Sequence, residues 1–389
     1  MTNKELIELI KRKAVNIFSV EGLEEKLNSG KKLKIKFGAD PSRPDLHLGH
    51  SVPFSILKAF QDAGHQVIFV IGDFTAMIGD PSGKSKTRPS LTFEETRRNS
   101  ETYLKQVGKL LDVDKVQVVY NSDWLGKMTF KDVITLSSKY TLARMLERDD
   151  FAKRYAENMP ISMHEMLYPL MQGYDSVALE ADVEIGGTDQ TFNLLVGREL
   201  QRDYGQAPQE VATFPLLVGL DGKEKMSKSL DNYIGVSESA DVMFEKAMKV
   251  PDDVLLTYFT LTTNYDLDEA KKLIETDIMK AHTEYAMTIT KMYNSEEDAI
   301  KANERYKSVA SGGIPENIEV TQMGKKECQL IDCLMATKLC VSTSDARRMV
   351  QQNAIKVNGV VVNDFKQMLD LSQETVIQKG KNKFAKVTE

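Results

Sequence analysis

Hydrophobic and polar positions in the first part of the chain switch between the spacing of a strand and that of a helix. Residues 33–37 alternate polar and apolar side chains like a half-buried strand, and the turn residues at 38–45 end it. At 46–63 the apolar residues return at helical spacing. Apolar runs at 67–71 and 211–219 predict further, buried strands. This order predicts an α/β fold with a parallel sheet, in which the first strand leads into a helix.

The middle of the chain reads as helices. Helices are predicted over 239–250, 266–293 and 296–309, and Asp266 with Glu269 suits a capping box at the second of them. A Ser-Gly-Gly-Ile-Pro run then breaks the pattern and predicts a linker.

The tail from about residue 326 is predicted to be a separate small unit. It reads as a helix, a second, capped helix at 342–350, and a hairpin at 355–362 with an Asn-Gly turn. This tail holds 10 Lys and Arg against 7 Asp and Glu, whereas the whole chain of 389 residues carries a net charge of −6. A basic appendage on an acidic body suits a local contact with RNA, although lysine-rich tails are often only solubilising.

The overall composition is that of an ordinary globular protein, long enough for two or three domains. No apolar run approaches the roughly 18 residues that cross a bilayer, and the N-terminal residues lack an apolar signal core. Cys328, Cys333 and Cys340 are odd in number and lack CxxC spacing, which predicts buried thiols in a reducing compartment. These features predict a cytoplasmic protein without membrane contact.

Two short strings carry the candidate chemistry. His47-Leu48-Gly49-His50 lies at the mouth of the helix at 46–63, where free N–H groups and partial positive charge suit a polyphosphate. A surface pair or half of a zinc site are the alternatives, but the other histidines offer no second pair nearby. Lys225-Met226-Ser227-Lys228-Ser229 follows the strand at 211–219, so we expect it at the carboxyl edge of the sheet, where ligands bind. Alone, it would indicate only a solvated charged loop.

Together and in this order, the strings resemble the HIGH motif, in its HLGH form, and the KMSKS motif of class I aminoacyl-tRNA synthetases. More narrowly, the whole chain resembles tyrosyl-tRNA synthetases of the bacterial type. The resemblance implies a Rossmann-like, parallel-sheet α/β catalytic domain at 1–232, in which an inserted region at about 116–160 forms a homodimer interface. It implies an all-helical domain for the anticodon arm at 233–325 and a small α+β, S4-like RNA-binding domain at 326–389.

Tyr168, Gln172 and Asp175 lie in a stretch that resembles the tyrosine-pocket helix of the family. Their spacing of i, i+4 and i+7 places them on one helix face, although a ligand-free amphipathic helix would show the same spacing. By the resemblance, Asp175 accepts the phenol proton of tyrosine, and Thr75 and Asp80 hold its α-ammonium group.

A glycine turn at 186–190 opens another helix. By the resemblance, Gly187 and Asp189 contact the ribose of ATP, and Gln190 contacts the amino acid. Without the resemblance to the family, this turn would be interpreted only as a helix cap. The other ATP contacts that the resemblance implies are Gly38, Asp40, Gly49 and Lys228.

Lys36 departs from the pattern of many bacterial relatives, which carry at this position a tyrosine that helps Asp175 to bind the substrate phenol. Either the chain belongs to a second bacterial subtype, in which a lysine accompanies an intact KMSKS motif, or its phenol contact differs. The unchanged motif at 225–229 favours the subtype.

The implied reaction needs no covalent enzyme intermediate. The tyrosine carboxylate attacks the α-phosphate of ATP, pyrophosphate leaves, and the 3′-terminal ribose of tRNA(Tyr) attacks the mixed anhydride. His47 and His50 would donate to the phosphates, and Lys225 and Lys228 would close over the pyrophosphate.

The partners implied are therefore L-tyrosine, ATP and tRNA(Tyr). Mg²⁺ would be carried by the phosphates of ATP and by water, so neither a tightly bound cofactor nor a set of protein metal ligands is expected. The residues expected to contact tRNA in the S4-like domain are Arg347, Arg348 and Lys356.

Two other functions remain open. One is an RNA-binding or splicing protein that kept this fold and lost catalysis, which the retained His47, His50, Lys225, Asp175 and Asp189 oppose. The other is a synthetase for another aromatic amino acid. Asp175 opposes phenylalanine, whose ring offers nothing to a buried carboxylate, and the S4-like tail opposes tryptophan.

Overall fold

The structure is a computed structural model, in which the chain clusters into two compact units. Unit 1 comprises Met1–Ser239 and Lys246–Tyr293, and unit 2 comprises Ala240–Glu245 and Asn294–Glu389. The residues that the structure describes are 1–39, 46–79, 93–310, 318, 320–380 and 383–389.

Unit 1 is built on a six-stranded sheet with the spatial order β1-β6-β5-β2-β3-β4. All neighbouring strands are parallel except β1, which runs antiparallel to β6 at the edge. The strands are β1 (Asn16–Phe18), β2 (Lys34–Ala39), β3 (Gln66–Ile71), β4 (Val116–Tyr120), β5 (Val183–Gly187) and β6 (Glu210–Phe214).

Helices lie between the parallel strands along the chain, because parallel strands cannot be joined by a tight turn. Those of the first 239 residues are α1 (Asn3–Lys13), α2 (Val20–Asn28), α3 (Leu48–Asp62), α4 (Phe93–Val107), α5 (Ser122–Leu125), α6 (Phe130–Ser137), α7 (Leu142–Met145), α8 (Asp149–Ala156), α9 (Met163–Leu179) and α10 (Thr191–Asp203). The middle of the chain adds α11 (Ala240–Ala247), α12 (Leu255–Thr262), α13 (Leu267–Thr276), α14 (Ile278–Tyr293) and α15 (Glu296–Ala310).

The predicted α/β fold with a parallel sheet is confirmed, with corrections near its strands. The strand at 33–37 is not the first, because the short edge strand β1 precedes it. The half-buried interpretation of β2 is wrong at Lys36, whose side chain is 0% exposed. Parallel sheets are covered on both faces, so a polar position in them is not a solvent-facing one. The run at 211–219 forms a strand only as far as Phe214.

The helical prediction for the middle of the chain holds, but one helix was missed and another is divided. Five of the eight residues of helix α12 are buried and only Thr257 is exposed, so its polar face is too narrow to mark a surface helix. The predicted helix at 266–293 is two helices, because Asp277 ends α13 and its Oδ1 accepts the N–H of Lys280 in α14. Asp266 is the N-cap of α13, where its Oδ1 accepts the N–H groups of Asp268 and Glu269.

Unit 2 ends in a small domain of two helices and short strands. Its strands form one sheet of order β10-β9-β12-β13-β7 and a pair β11-β8. Its elements after α15 are β7 (Val320–Gln322), β8 (Glu327–Gln329), α16 (Leu330–Ala336), α17 (Thr343–Gln351), β9 (Ile355–Val357), β10 (Val360–Val361), β11 (Met368–Asp370), β12 (Thr375–Lys379) and β13 (Lys383–Thr388).

The sequence signals in this tail are confirmed. Asn358 and Gly359 have φ of 50° and 83°, as a tight turn between β9 and β10 requires. Ser342 caps α17 through its side chain. Cys328, Cys333 and Cys340 are buried and unbridged in its apolar core.

Candidate active site

His47 and His50 lie at the N-terminus of α3, with their ring centroids 4.0 Å apart. The Nδ1 atom of His47 accepts the N–H of Gly49 at 3.2 Å, and the Nδ1 atom of His50 accepts the N–H of His47 at 3.3 Å. Burial lowers the pKa of His47 to about 3 and that of His50 to about 4. Both imidazoles are therefore neutral at pH 7, and because each Nδ1 is an acceptor, each Nε2 carries the proton. The pair presents two neutral N–H donors.

Gly49 lies against this pair. A Cβ added there would be 3.0 Å from the His47 ring, so a larger residue would press on the imidazole. The glycine therefore keeps the backbone at the helix mouth close to the first histidine.

The segment that follows the KMSKS motif pairs with the HLGH string and the residue before it. The N–H of Leu48 donates to the carbonyl of Ile234 at 3.0 Å, and the N–H of Val236 donates to the carbonyl of Leu46 at 3.1 Å. The ring of Tyr233 lies 6.2 Å from that of His47. The HLGH string is thus joined through backbone hydrogen bonds to the segment that follows the KMSKS motif, far away in sequence.

The KMSKS motif itself lies in the loop that follows β6. Met226 anchors it, because this side chain is 4% exposed and its N–H donates to the carbonyl of Leu217 at 2.7 Å. Lys225 and Lys228 are exposed on either side of this anchor. The loop can therefore present two cations while its backbone is held.

Asp175 lies on α9 and is 4% exposed. Its Oδ1 accepts the indole N–H of Trp124 at 2.8 Å, and its Oδ2 accepts the amide of Asn121 at 3.4 Å. The same amide donates to Oγ1 of Thr75 at 3.1 Å, so Thr75 and Asp175 are linked through Asn121. Burial raises the pKa of Asp175 to about 7, against the lowering effect of the Lys36 charge and of these hydrogen bonds. The site thus holds a carboxylate that titrates near neutrality.

Lys36 pairs with Glu184, which is its neighbour in the β2–β5 register. Their ammonium and carboxylate groups form a fully buried ion pair of 2.8 Å. The Lys36 ammonium also donates to Oγ of Ser176 at 2.8 Å and to the carbonyl of Gln172 at 3.0 Å. Lys36 therefore fixes α9 on both sides of Asp175 and acts on that carboxylate through its charge.

A cluster of amides adjoins this helix. The Gln172 amide donates to Oε1 of Gln190 at 3.4 Å, and the Asn193 amide donates to Oε1 of Gln172 at 2.9 Å. Tyr168, one turn before Gln172 on α9, is 5% exposed. The structure thus brings Gln172 and Gln190 together.

The remaining sequence-predicted residues of unit 1 lie at strand ends or outside the described residues. Gly38 lies near the carboxyl end of β2, and Gly187 ends β5. A Cβ on Gly187 would lie 2.6 Å from Oδ1 of Asp189, so the turn brings that exposed carboxylate against the backbone. Asp40 and Asp80 lie outside the described residues.

The residues expected to contact tRNA lie in the small domain of unit 2. Arg347 and Arg348 are exposed on α17, and Lys356 is half-buried on β9. The Arg347 guanidinium lies 5.1 Å from the centroid of the Phe365 ring, and Arg348 pairs with Asp345 at 2.8 Å.

Sequence reasoning missed Asn121, Trp124 and Glu184. Asn121 directly follows β4, so the rule that ligands bind at the carboxyl ends of parallel strands could have indicated it. Glu184 is a charged residue within a buried strand, which is a signal for a partner, but the partner depends on strand order. Trp124 lies on a short helix without any local signal of chemistry.

Comparison with known proteins gives a consistent picture. Residues 28–310 match the family model described as tRNA synthetases class I (W and Y), and residues 311–387 match that of the tyrosine–tRNA ligase SYY-like C-terminal domain. The chain is 50% identical to a tyrosine–tRNA ligase of Deinococcus radiodurans over 98% of this chain and 96% of that protein. It is 47% identical to one of Aquifex aeolicus over 100% and 99%.

A solved structure supports the same assignment. The tyrosyl-tRNA synthetase of Archaeoglobus fulgidus, solved with L-tyrosine, is similar to this chain with a TM-score of 0.63 and 26% identity, over 78% of this chain and 100% of that one. With its sequence, its sheet and its relatives in agreement, the chain belongs to the class I tRNA synthetases and, among them, to the tyrosine–tRNA ligase family.

Proposed function

We propose that this chain activates L-tyrosine with ATP and transfers it to the 3′-terminal ribose of tRNA(Tyr). The observation that carries the choice of amino acid is the buried Asp175 carboxylate, held by Trp124 and Asn121 on a helix of the candidate pocket. A phenol hydroxyl is a donor that such an acceptor can bind, whereas a phenylalanine ring would leave the carboxylate without a new partner.

In the activation step the tyrosine carboxylate attacks the α-phosphate in line, and charge builds on the phosphate oxygens. The neutral Nε2–H groups of His47 and His50 donate to the α- and γ-phosphates, where fixed donors favour the transition state over the bound substrate. Lys225 and Lys228 neutralise the departing pyrophosphate. Mg²⁺ enters as part of MgATP, bound to phosphate oxygens and water.

Further residues are assigned to the two substrates. Asp175 accepts the phenol proton, and the polar groups around it orient the amino acid. The full set proposed for tyrosine is Thr75, Asp80, Tyr168, Gln172, Asp175 and Gln190. The set proposed for ATP is Gly38, Asp40, Gly49, Gly187, Asp189 and Lys228.

We propose a homodimer that uses the inserted region at about 116–160. Exposed large apolar side chains concentrate there and immediately after it: Phe130, Ile134, Leu142, Tyr155, Met159 and Met163 are between 45% and 80% exposed. Apolar surface of this density is typical of an interface.

We also propose a division into three domains, with boundaries at 232 and 325. The middle domain contacts the anticodon arm, and the S4-like tail contacts tRNA through Arg347, Arg348 and Lys356.

Among the described residues, no helix is both long and apolar enough to cross a membrane. We propose a cytoplasmic location, because tyrosine, ATP and tRNA are all present in the cytoplasm.

Charging of tRNA tests the proposed function. With ATP and labelled tyrosine, the protein should attach label to tRNA(Tyr) but not to tRNA(Trp) or tRNA(Phe), and the product should be labile to mild base, as an ester is. Binding of tRNA(Tyr) without any charging would instead favour a catalytically lapsed RNA-binding protein on this fold.

A further inference from the structure

We propose that Asn232 is the positioning residue of the KMSKS loop, which we define as residues 219–232. This proposal rests on the proposed function, in which that loop delivers Lys225 and Lys228 to ATP. Asn232 lies outside the motif and has no charge to offer a phosphate, so its role must be exerted through the loop.

The side chain of Asn232 is 4% exposed, and both its amide nitrogen and its amide oxygen form hydrogen bonds. Its amide nitrogen donates to Oδ2 of Asp221 at 2.6 Å and to the carbonyl of Lys225 at 3.2 Å. Its amide oxygen accepts the N–H of Ser227 at 2.8 Å. A primary amide has one acceptor and two donor hydrogens, so this single group binds the backbone on both sides of Met226.

Asn232 also closes the loop at its base. Its carbonyl accepts the N–H of Leu220 at 2.9 Å. A Cβ added to Gly219 would lie 2.2 Å from the Asn232 amide nitrogen, so the position at Gly219 has no room for a side chain. The amide fills the interior of the loop between its two ends.

Asp221 completes the clamp from the other side. Its Oδ1 accepts the N–H groups of Lys223 and Glu224, each at 2.9 Å. The hydrogen bond from Lys223, followed by that from the Asn232 amide, holds the pKa of Asp221 below its usual range. The Asn232 amide therefore faces a carboxylate, which makes this hydrogen bond a charge-assisted one.

Asn232 is also close in sequence to the backbone hydrogen bond that joins this part of the chain to the histidine pair. Two residues further on, the carbonyl of Ile234 accepts the N–H of Leu48 at the start of α3. The position of the loop relative to His47 and His50 is thus set on one side by this backbone pairing and on the other by the Asn232 amide.

The test is Asn232→Asp, which keeps the shape but places a second carboxylate beside Asp221 and removes both donated hydrogen bonds. Because misplacing a catalytic group by about 1 Å can cost on the order of 100-fold, kcat for tyrosine-dependent pyrophosphate exchange should fall about 10- to 100-fold. The KM for tyrosine should stay within about 2-fold, because the tyrosine pocket is built by other elements.

The double variant Asn232→Asp/Asp221→Asn is the matched control. It exchanges donor and acceptor while preserving both shapes, and we expect it to recover part of kcat. A second readout is independent of catalysis: trypsin should cleave after Lys223, Lys225 or Lys228 faster in Asn232→Asp than in wild type.

Three results would overturn the proposal: an unchanged kcat in Asn232→Asp, a rise in the tyrosine KM that matches the fall in kcat, or unchanged tryptic cleavage. A wild type that lacks exchange would count against the proposed function, and the cleavage rates would still decide whether Asn232 holds the loop.

Discussion

The indole N–H of Trp124 donates to the Asp175 carboxylate at 2.8 Å. Trp124 lies within the region at about 116–160 that is expected to form the dimer interface, and Asp175 lies in the candidate tyrosine pocket. This hydrogen bond therefore links the two regions. It also leaves the carboxylate, whose burial is costly, with one strong donor in the absence of substrate.

Removing that donor should weaken tyrosine binding. Trp124→Phe keeps an aromatic ring but leaves Asp175 with only the longer hydrogen bond from Asn121 among those described here. Because this hydrogen bond lowers the pKa of Asp175, its loss should leave more of the carboxyl protonated, and a rise of about one pKa unit would raise the KM for tyrosine in pyrophosphate exchange about 5-fold at pH 7. The KM for ATP is the internal control, and an equal rise in both would contradict a role in the tyrosine pocket.

The raised pKa of Asp175 predicts how tyrosine binding and stability depend on pH. Since the carboxylate form is needed to accept the phenol proton, the KM for tyrosine should rise as pH falls below about 7. The folded pKa lies above the unfolded one, so the native state holds the extra proton between about pH 4 and 7, and ionisation of Asp175 costs stability as pH rises through this window.

Replacing the Asp175 carboxyl by an amide should remove the loss of stability that its ionisation causes. One pKa unit corresponds to about 1.4 kcal/mol, so Asp175→Asn should be more stable than wild type at pH 8 by about 2 kcal/mol or more in urea unfolding, and the difference should vanish near pH 4. Asp203→Asn, at an exposed carboxylate, should show no such pH-dependent difference. If Asp175→Asn were less stable than wild type at pH 8, the raised pKa of Asp175 would be contradicted.

The buried Lys36–Glu184 pair should behave as a unit. Lys36→Met leaves the Glu184 carboxylate buried without its partner, which should cost about 3–5 kcal/mol of unfolding free energy. In Lys36→Met/Glu184→Gln the unpaired charge is gone, so most of that loss should be recovered in urea titrations. Additive losses in the double variant would show that the two charges do not interact.

The exposed apolar side chains of the inserted region should mediate self-association. Phe130 is 80% exposed, and Phe130→Asp should shift the protein towards monomer in sedimentation equilibrium at micromolar concentration. Val341 is 88% exposed on the small domain, and Val341→Asp is the matched control expected to leave association unchanged. A wild type that is monomeric under these conditions would remove the dimer proposal.

Local signals predicted the elements on which the candidate site is built, but tertiary contacts decided its details. The strand before the HLGH string, the helix that starts within it and the Asn-Gly hairpin all follow from spacing and turn chemistry, which act over a few residues. Lys36 departs from the family pattern, but the sequence does not indicate its partner Glu184, because their contact depends on β5 lying beside β2. The missed helix α12 has only eight residues, most of them buried, and a short apolar run of this kind cannot be distinguished from a buried strand by its spacing.

The proposed function requires that a site containing the buried Asp175 activates tyrosine with ATP. The most direct test is exchange of labelled pyrophosphate into ATP without tRNA, run with tyrosine, phenylalanine and tryptophan on the wild type, on Asp175→Ala and on the exposed control Asp203→Ala. We predict exchange with tyrosine alone, lost in Asp175→Ala and retained in Asp203→Ala. Exchange with none of the three amino acids in the wild type, or undiminished exchange in Asp175→Ala, would contradict the claim.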